Sequence, residues 1–245
     1  MNPLARFEHQ RGWVVHRRAW RESSLLVEFF SRDQGRVGLV AKGARAARSA
    51  WRGQIEPYVP LSLSWSRRGE MGTLTALDPL ETALPLTGQA LWCGFYVNEL
   101  VLRLLKRDDP HPQVFDAYSA ALLGLAQGEK TQALVLRRFE MELLRGLGVA
   151  PDFHHDAQSG RPISPDKRYH LKLEAGFFPA DDCSRQAFSG QTILALANGS
   201  SPDRATAREM RALMRRLIDQ QLGGRPLASR QLLASARTRK HGDEK

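Results

Sequence analysis

GWVVHRRAWRESSLLVEFFSRDQGRVGLVAKGAR, residues 12–45, decides the fold. Apolar residues recur there at every second position, or in short runs that stop at turn formers, which is how strands read rather than helices. Strands are expected at Gly12–Arg17, Ser24–Ser31 and Gly35–Ala41, with Asp33-Gln34-Gly35 turning the second into the third. Further on, Tyr58–Ser66 and Met71–Leu77 read the same way around an Arg67-Arg68-Gly69-Glu70 turn. Five short strands before residue 80 make a small barrel. The two hairpins fit an OB-fold, although the pattern alone also permits an SH3-like barrel.

After Pro85 the apolar period becomes helical. Thr87–Arg107 is apolar nearly all round and is expected in the middle of its domain, and Gln113–Ala126 follows it. Thr131–Leu147 comes next, stopped by Gly148 and Pro151. Asp152–Ser184 is rich in Pro, Gly, His and Asp and reads as a loop-rich insertion with one short strand pair, Tyr169–Leu173 and Gly176–Pro179. Helix returns at Gln191–Ala197 and at Pro202–Leu222, where Ser201 is the expected N-cap, Pro202 the first helical residue and Gly223-Gly224 the stop. Ala236–Lys245 reads as a polar tail. The expected class is α+β, with a five-stranded barrel over 1–80 and a mainly α-helical domain over 81–245 that carries the insertion at about 152–184.

The composition, 42% hydrophobic and 25% charged, is that of a chain with a sizeable core. Its charge is less ordinary: 36 Lys+Arg against 26 Asp+Glu leave a formal +10, and only 7 of the cations are lysine. A surface of that sign attracts polyanions, and the planar guanidinium suits phosphate oxygens and base stacking. No window approaches the roughly 20 apolar residues that span a bilayer, and MNPLARFEHQRGW has no apolar signal-type run, so a cytoplasmic location without membrane contact is expected. A phosphate loop, a nucleophile elbow, a His-Glu-x-x-His motif and a paired-carboxylate pattern are all missing from the sequence, which argues against an enzyme.

The most informative cations lie in Gly35–Gly53, where Arg36, Lys42, Arg45, Arg48 and Arg52 occur without one acidic residue and Trp51 stands among them. Such a strand-to-loop stretch can track a phosphate backbone, and its tryptophan can stack a base. The bland alternative is a solvated loop whose tryptophan packs on the barrel. A second basic face is expected on the Pro202–Leu222 helix, where Arg208, Arg211 and Arg215 share one side opposite Met210, Leu213, Met214, Leu217 and Ile218. Two basic surfaces would let one protein hold two strands. Arg137 and Arg138, beside Leu136 and Phe139, are candidates for an acidic peptide with an apolar end, or else for ion pairs with Glu140 or Glu142. No metal site is expected: Cys93 and Cys183 form no close pair, and His154, His155 and Asp156 are chain neighbours that point apart, with His170 further on.

These stretches also resemble a known family. The segment at 12–45, QIEPYVPLSLSWS at 54–66, GFYVNELVLRLL at 94–105, LRRFEMELLRGLG at 136–148 and LGGRPLASRQLL at 222–233 are similar, in order, to blocks of the bacterial RecO proteins, from Gly12 to about Leu233. The resemblance implies an N-terminal OB-fold, a helical domain, and a central region that holds a four-cysteine zinc site in many members. It implies binding of single- and double-stranded DNA, annealing of complementary strands, and association with RecR. It further implies help in loading RecA onto DNA coated by single-stranded DNA-binding protein, and contact with that protein's acidic C-terminal tail, for which Arg137 and Arg138 are the candidates. In FHHDAQSGRP, residues 153–162, Asp156 and Ser159 stand where a Cys-x-x-Cys pair is expected, so no zinc cofactor is expected here.

Overall fold

The computed structural model describes residues 3–128, 132–181, 184 and 186–232; Cys183 and the expected tail at 236–245 lie outside the described residues. Packing divides the chain into two units, one made of residues up to Gln127 together with those from Leu227, the other of Gly128–Pro226.

The first unit is built on β1 (Ala5–Trp20), β2 (Ser24–Ser31), β3 (Gly35–Ala41), β4 (Pro60–Arg67) and β5 (Gly72–Pro79), closed in the order β1-β2-β3-β5-β4. Neighbours are antiparallel except β3 and β5, and β1 pairs with β4 through its first half and β2 through its second. This is the five-stranded barrel of an OB-fold. Strands β2 and β3 occupy the residues read as strands, whereas β1 begins at Ala5 rather than Gly12, since ARFEHQR has a single large apolar residue, Phe7, shows no apolar period and takes its shape from pairing with β4. Inside, Val14, Phe29, Leu39, Leu61, Leu63 and Trp65 are at most 1% exposed.

Helices α1 (Gly88–Leu104) and α2 (Pro112–Ala126) belong to this same unit. The Trp13 indole donates to Ser119 Oγ at 2.9 Å, Asn98 Nδ2 donates to the Val15 carbonyl at 3.0 Å, and Tyr118 donates to Asn98 Oδ1 at 2.6 Å. The Phe30 ring meets Phe115 and Tyr118 edge-on at 5.3 and 5.5 Å. A boundary at residue 80 thus separates strand from helix, while the packed unit continues to Gln127. Helix α1 is not buried all round: Phe95 remains 39% exposed, because barrel and α2 leave that side uncovered. The Glu99 carboxylate accepts from the amides of Ala228 and Ser229 at 2.9 Å each, and from Ser229 Oγ at 2.7 Å, fastening the returning chain.

The second unit contains α3 (Gln132–Gly146), β6 (Arg168–Lys172), β7 (Gly176–Ala180), β8 (Phe188–Ser189), α4 (Gly190–Asn198) and α5 (Arg204–Gln221), with a β7-β6-β8 sheet. The expected strand pair is β6 and β7. Phe153, Ile163, Tyr169 and Phe177, from the stretch read as an insertion, form one core with α3, α4 and α5. Phe153 and Ile163 sit alone among polar and turn residues, so no period announces them, whereas Tyr169 and Phe177 belong to the expected strand pair. Helix α5 starts at Arg204 with Asp203 as its cap, taking the Thr206 amide at 2.7 Å, instead of at Pro202 behind Ser201.

Glu209 on α5 ties this unit together, accepting from Ser189 Oγ at 2.6 Å, from the Ser189 amide at 3.2 Å and from the Thr192 hydroxyl, and pairing with Arg168 at 3.3 Å. Burial pushes its carboxyl up, but these hydrogen bonds and the Arg168 charge together outweigh that and hold it below its ordinary value. A carboxyl depressed by folding stabilises fully above its unfolded value, about 4.3, and the contribution is lost as pH falls through the folded value. Glu209→Ala is therefore expected to cost about 2 kcal/mol at neutral pH. The gap in Tm from the parent chain should narrow as pH falls below the unfolded value and through the lower folded one. Thermal unfolding at neutral pH and pH 3 checks this; a gap that persists on acidification contradicts it.

Candidate nucleic-acid interface

The loop from β3 to β4 is short of side-chain anchors but rich in turns. Ala44 and Ile55 are buried at its two ends, and the amides of Ala46, Ser49, Arg52 and Gln54 each reach back three residues, to Gly43, Ala46, Ser49 and Trp51, at 3.0–3.2 Å. Successive tight turns use the backbone groups locally and leave the long side chains outside. Lys42, Arg45, Arg48 and Arg52 are exposed, and among the described residues no carboxylate pairs with them. The Arg45 amide donates to the Ser23 carbonyl at 2.7 Å, and its guanidinium reaches the Arg21 carbonyl at 3.4 Å, so the loop is fastened to the β1–β2 turn. Trp51 is half-buried and packs against the barrel core, which takes up part of its ring.

Arg36 is placed elsewhere. Strand alternation turns it to the outer face of the barrel, where its side chain is 16% exposed and bonds Glu28 at 3.2 Å. Arg107 holds the other oxygen of the same carboxylate. Burial pulls the Arg36 guanidinium below its ordinary value against the attraction of Glu28, while the Glu28 hydrogen bond raises Arg107. One carboxylate thus serves two arginines, and Arg36 acts in the barrel rather than in the loop.

The register brings to that outer face residues which the pattern at 12–45 did not single out. His16 stands opposite Glu28, Arg18 opposite Leu26, and Trp20 opposite Ser24, while Leu26 faces Val40 across β3. His16, Arg18, Trp20, Leu26, Glu28 and Val40 line, with Met71 and Arg107, a groove of about 320 Å³. Trp20 is 40% exposed, with the Arg21 guanidinium 5.9 Å from its ring centroid. The legible signal was HRRAWR at 16–21, cations interleaved with an aromatic at a strand end.

In the second unit, Arg208, Arg211 and Arg215 are all exposed on α5, with Arg215 paired to Asp219 at 3.4 Å. Arg137 pairs with the buried Glu140 at 2.5 Å, and Arg138 donates to the Gly199 carbonyl at 3.2 Å, at the C-terminal cap of α4 where a cation is favoured. Both arginines thus have partners within their own unit.

The 153–162 turn does not fit a thiolate zinc site. Asp156 Oδ1 accepts the amides of Gln158 and Ser159 at 3.0 and 2.6 Å, and its Oδ2 accepts the Ser159 hydroxyl at 2.7 Å. The Ser159 side chain and amide hold that carboxyl below its ordinary value, so oxygen donors that point at each other close the turn. His155 Nδ1 is 2.9 Å from Asp152, and no group of three metal-ligating side chains occurs among the described residues.

Comparison with known proteins agrees with this architecture. Family models described as "Recombination protein O N terminal" and "Recombination protein O C terminal" match residues 5–83 and 85–231. The chain is 44% identical over 235 residues to a protein of Aromatoleum aromaticum named DNA repair protein RecO, covering 95% of this chain and 98% of that one. It is 43% identical over 233 residues to a protein of the same name from an Azoarcus species, covering 93% and 96%, and 44% over 234 residues to that of Halorhodospira halophila, covering 93% and 97%.

Proposed function

The chain belongs to the recombination protein O family, and from that premise we propose that it acts in DNA repair and recombination as a binding mediator, not as an enzyme. It binds single- and double-stranded DNA, anneals complementary strands and, with RecR, helps load RecA onto DNA coated by single-stranded DNA-binding protein. The observation that supports this reading best is the cationic loop: Lys42, Arg45, Arg48 and Arg52 project from one end of the barrel and are left unpaired by any carboxylate of the described residues. Phosphates that replace the counterions around such a loop release those ions, so affinity rises as salt is lowered.

No bond is made or broken in this function. Two polynucleotide strands repel one another, and pairing quickens when a protein neutralises both at once. The exposed arginines of α5 provide the second cationic surface. Arg138 is the exposed cation proposed to meet the acidic tail of single-stranded DNA-binding protein, since Arg137 is committed to Glu140. The α-helices of the described residues include none long and apolar enough to cross a membrane.

The test is annealing of complementary labelled oligonucleotides, bare and coated by single-stranded DNA-binding protein, across a series of salt concentrations. Accelerated pairing that fades as salt rises is expected. A folded sample that leaves the annealing rate unchanged at low salt refutes the proposal and leaves the barrel as a protein-interaction module.

A further inference from the structure

We infer that the groove on the outer face of the barrel seats a single unstacked nucleobase, with Trp20 as its platform, which makes the protein distinguish single strands from duplex. The inference rests on the DNA-binding reading above and adds to it a base-contacting subsite.

Most of the barrel's other aromatic rings are consumed by packing, and Trp51 gives part of its ring to the core. Trp13, Phe29, Phe30 and Trp65 are at most 5% exposed, whereas Trp20 presents 40% of its surface at the end of β1. Trp20 lines the groove together with the apolar Leu26, Val40 and Met71. Gly38 makes room for two of the lining side chains: a Cβ there would come within 2.7 Å of Met71 Sδ and 3.0 Å of Arg107 Cζ. The volume, about 320 Å³, is at the small end of sites for compact organic ligands. A flat aromatic ligand on an indole and an aliphatic floor gains stacking that any base can supply.

The rim specifies the charge of the occupant. Arg18 and Arg107 border the groove, and the one carboxylate that lines it, Glu28, is already shared by Arg36 and Arg107. What enters must be apolar and planar at its centre and anionic at its edges, as a nucleotide is. The groove is also continuous with the cationic loop, since Arg45 is bonded to Ser23 and Arg21 of the turn that follows Trp20. A strand held by its phosphates on Lys42, Arg45 and Arg48 passes that turn and offers the next base to Trp20. In a duplex the base is paired and stacked, and it cannot enter without being extruded.

Anisotropy titrations of the full chain with an oligothymidylate, with an abasic oligomer of the same phosphate count, and with duplex decide the matter. The native chain should bind the oligothymidylate about 10-fold more tightly than the abasic oligomer, as one stacked base supplies. Trp20→Ala should bring the two affinities together, leaving the salt slope and duplex binding as they were, and Trp20→Phe should retain most of the preference. Salt-dependent binding with no preference for bases in the native chain overturns the subsite while leaving the phosphate grip intact. No salt-dependent binding of any oligomer overturns the phosphate grip as well. Capture of an acidic, apolar-ended peptide that Trp20→Ala abolishes, without base preference, overturns the subsite in favour of a protein ligand.

Discussion

Lys42→Glu, Arg45→Glu and Arg48→Glu, introduced together, are expected to weaken binding of a single-stranded oligonucleotide by about 100-fold at 0.1 M salt and to reduce the slope of log affinity against log salt by about 2. Both magnitudes follow from one count. Each phosphate contact on a single strand contributes about 0.7 to the slope, or about 5-fold in affinity at that salt, and three contacts are removed. The fold should survive, because the three side chains are exposed and the turns of the loop are closed by backbone amides rather than by the cations. Unaltered circular dichroism with lost affinity, equal across oligonucleotide sequences, is the expected pattern. A slope identical to that of the parent chain would remove this loop from the interface.

Trp65→Ala is expected to destabilise the barrel by about 3–5 kcal/mol, a large share of the 5–15 kcal/mol typical of a whole domain. The ring is 1% exposed, stacks on Phe7 at 5.0 Å and meets Phe29 edge-on at 6.2 Å. Gly72 gives it space, since a Cβ at that residue would lie 2.8 Å from the indole. The indole N–H is buried without a hydrogen-bond partner among the described residues. Trp65→Phe removes that unsatisfied donor along with part of the ring, so its loss should be markedly smaller. Urea denaturation of both variants checks the pair of expectations; equal losses would mean that the indole nitrogen is not desolvated as described.

Much of the barrel was legible because its middle strands are punctuated. Ser24–Ser31 and Gly35–Ala41 are short apolar stretches that stop at turn formers, and the strands occupy those residues. The first half of β1 was not legible, because its partner β4 lies more than fifty residues away and the segment ARFEHQR has one large apolar residue, Phe7, too few to make a period. The same limit applies to the interface. Loop cations announce themselves by the lack of acids nearby in the chain, which is a local property. Arg36 looks like one of them until the β2–β3 register places it beside Glu28, whereas for Arg137 the i,i+3 pairing with Glu140 was one of the readings its helical spacing allowed. Trp20 and Arg18 became a site only through pairing that opposes them to β2. Chain neighbours show which charges exist, and register decides which of them are already neutralised.

The Glu99 clasp on Ala228 and Ser229 has a consequence for the order in which a ribosome delivers the molecule. The first unit is interrupted: about a hundred residues, Gly128–Pro226, intervene between its two stretches and have a core of their own. During synthesis the barrel and its two helices emerge first, yet the Glu99 carboxylate waits with its partners still untranslated, while the intervening module can collapse on local contacts. Closure of this long loop cannot precede translation of Ser229, and formation of the clasp, rather than barrel assembly, is expected to be the late step at which nascent chains become resistant to protease.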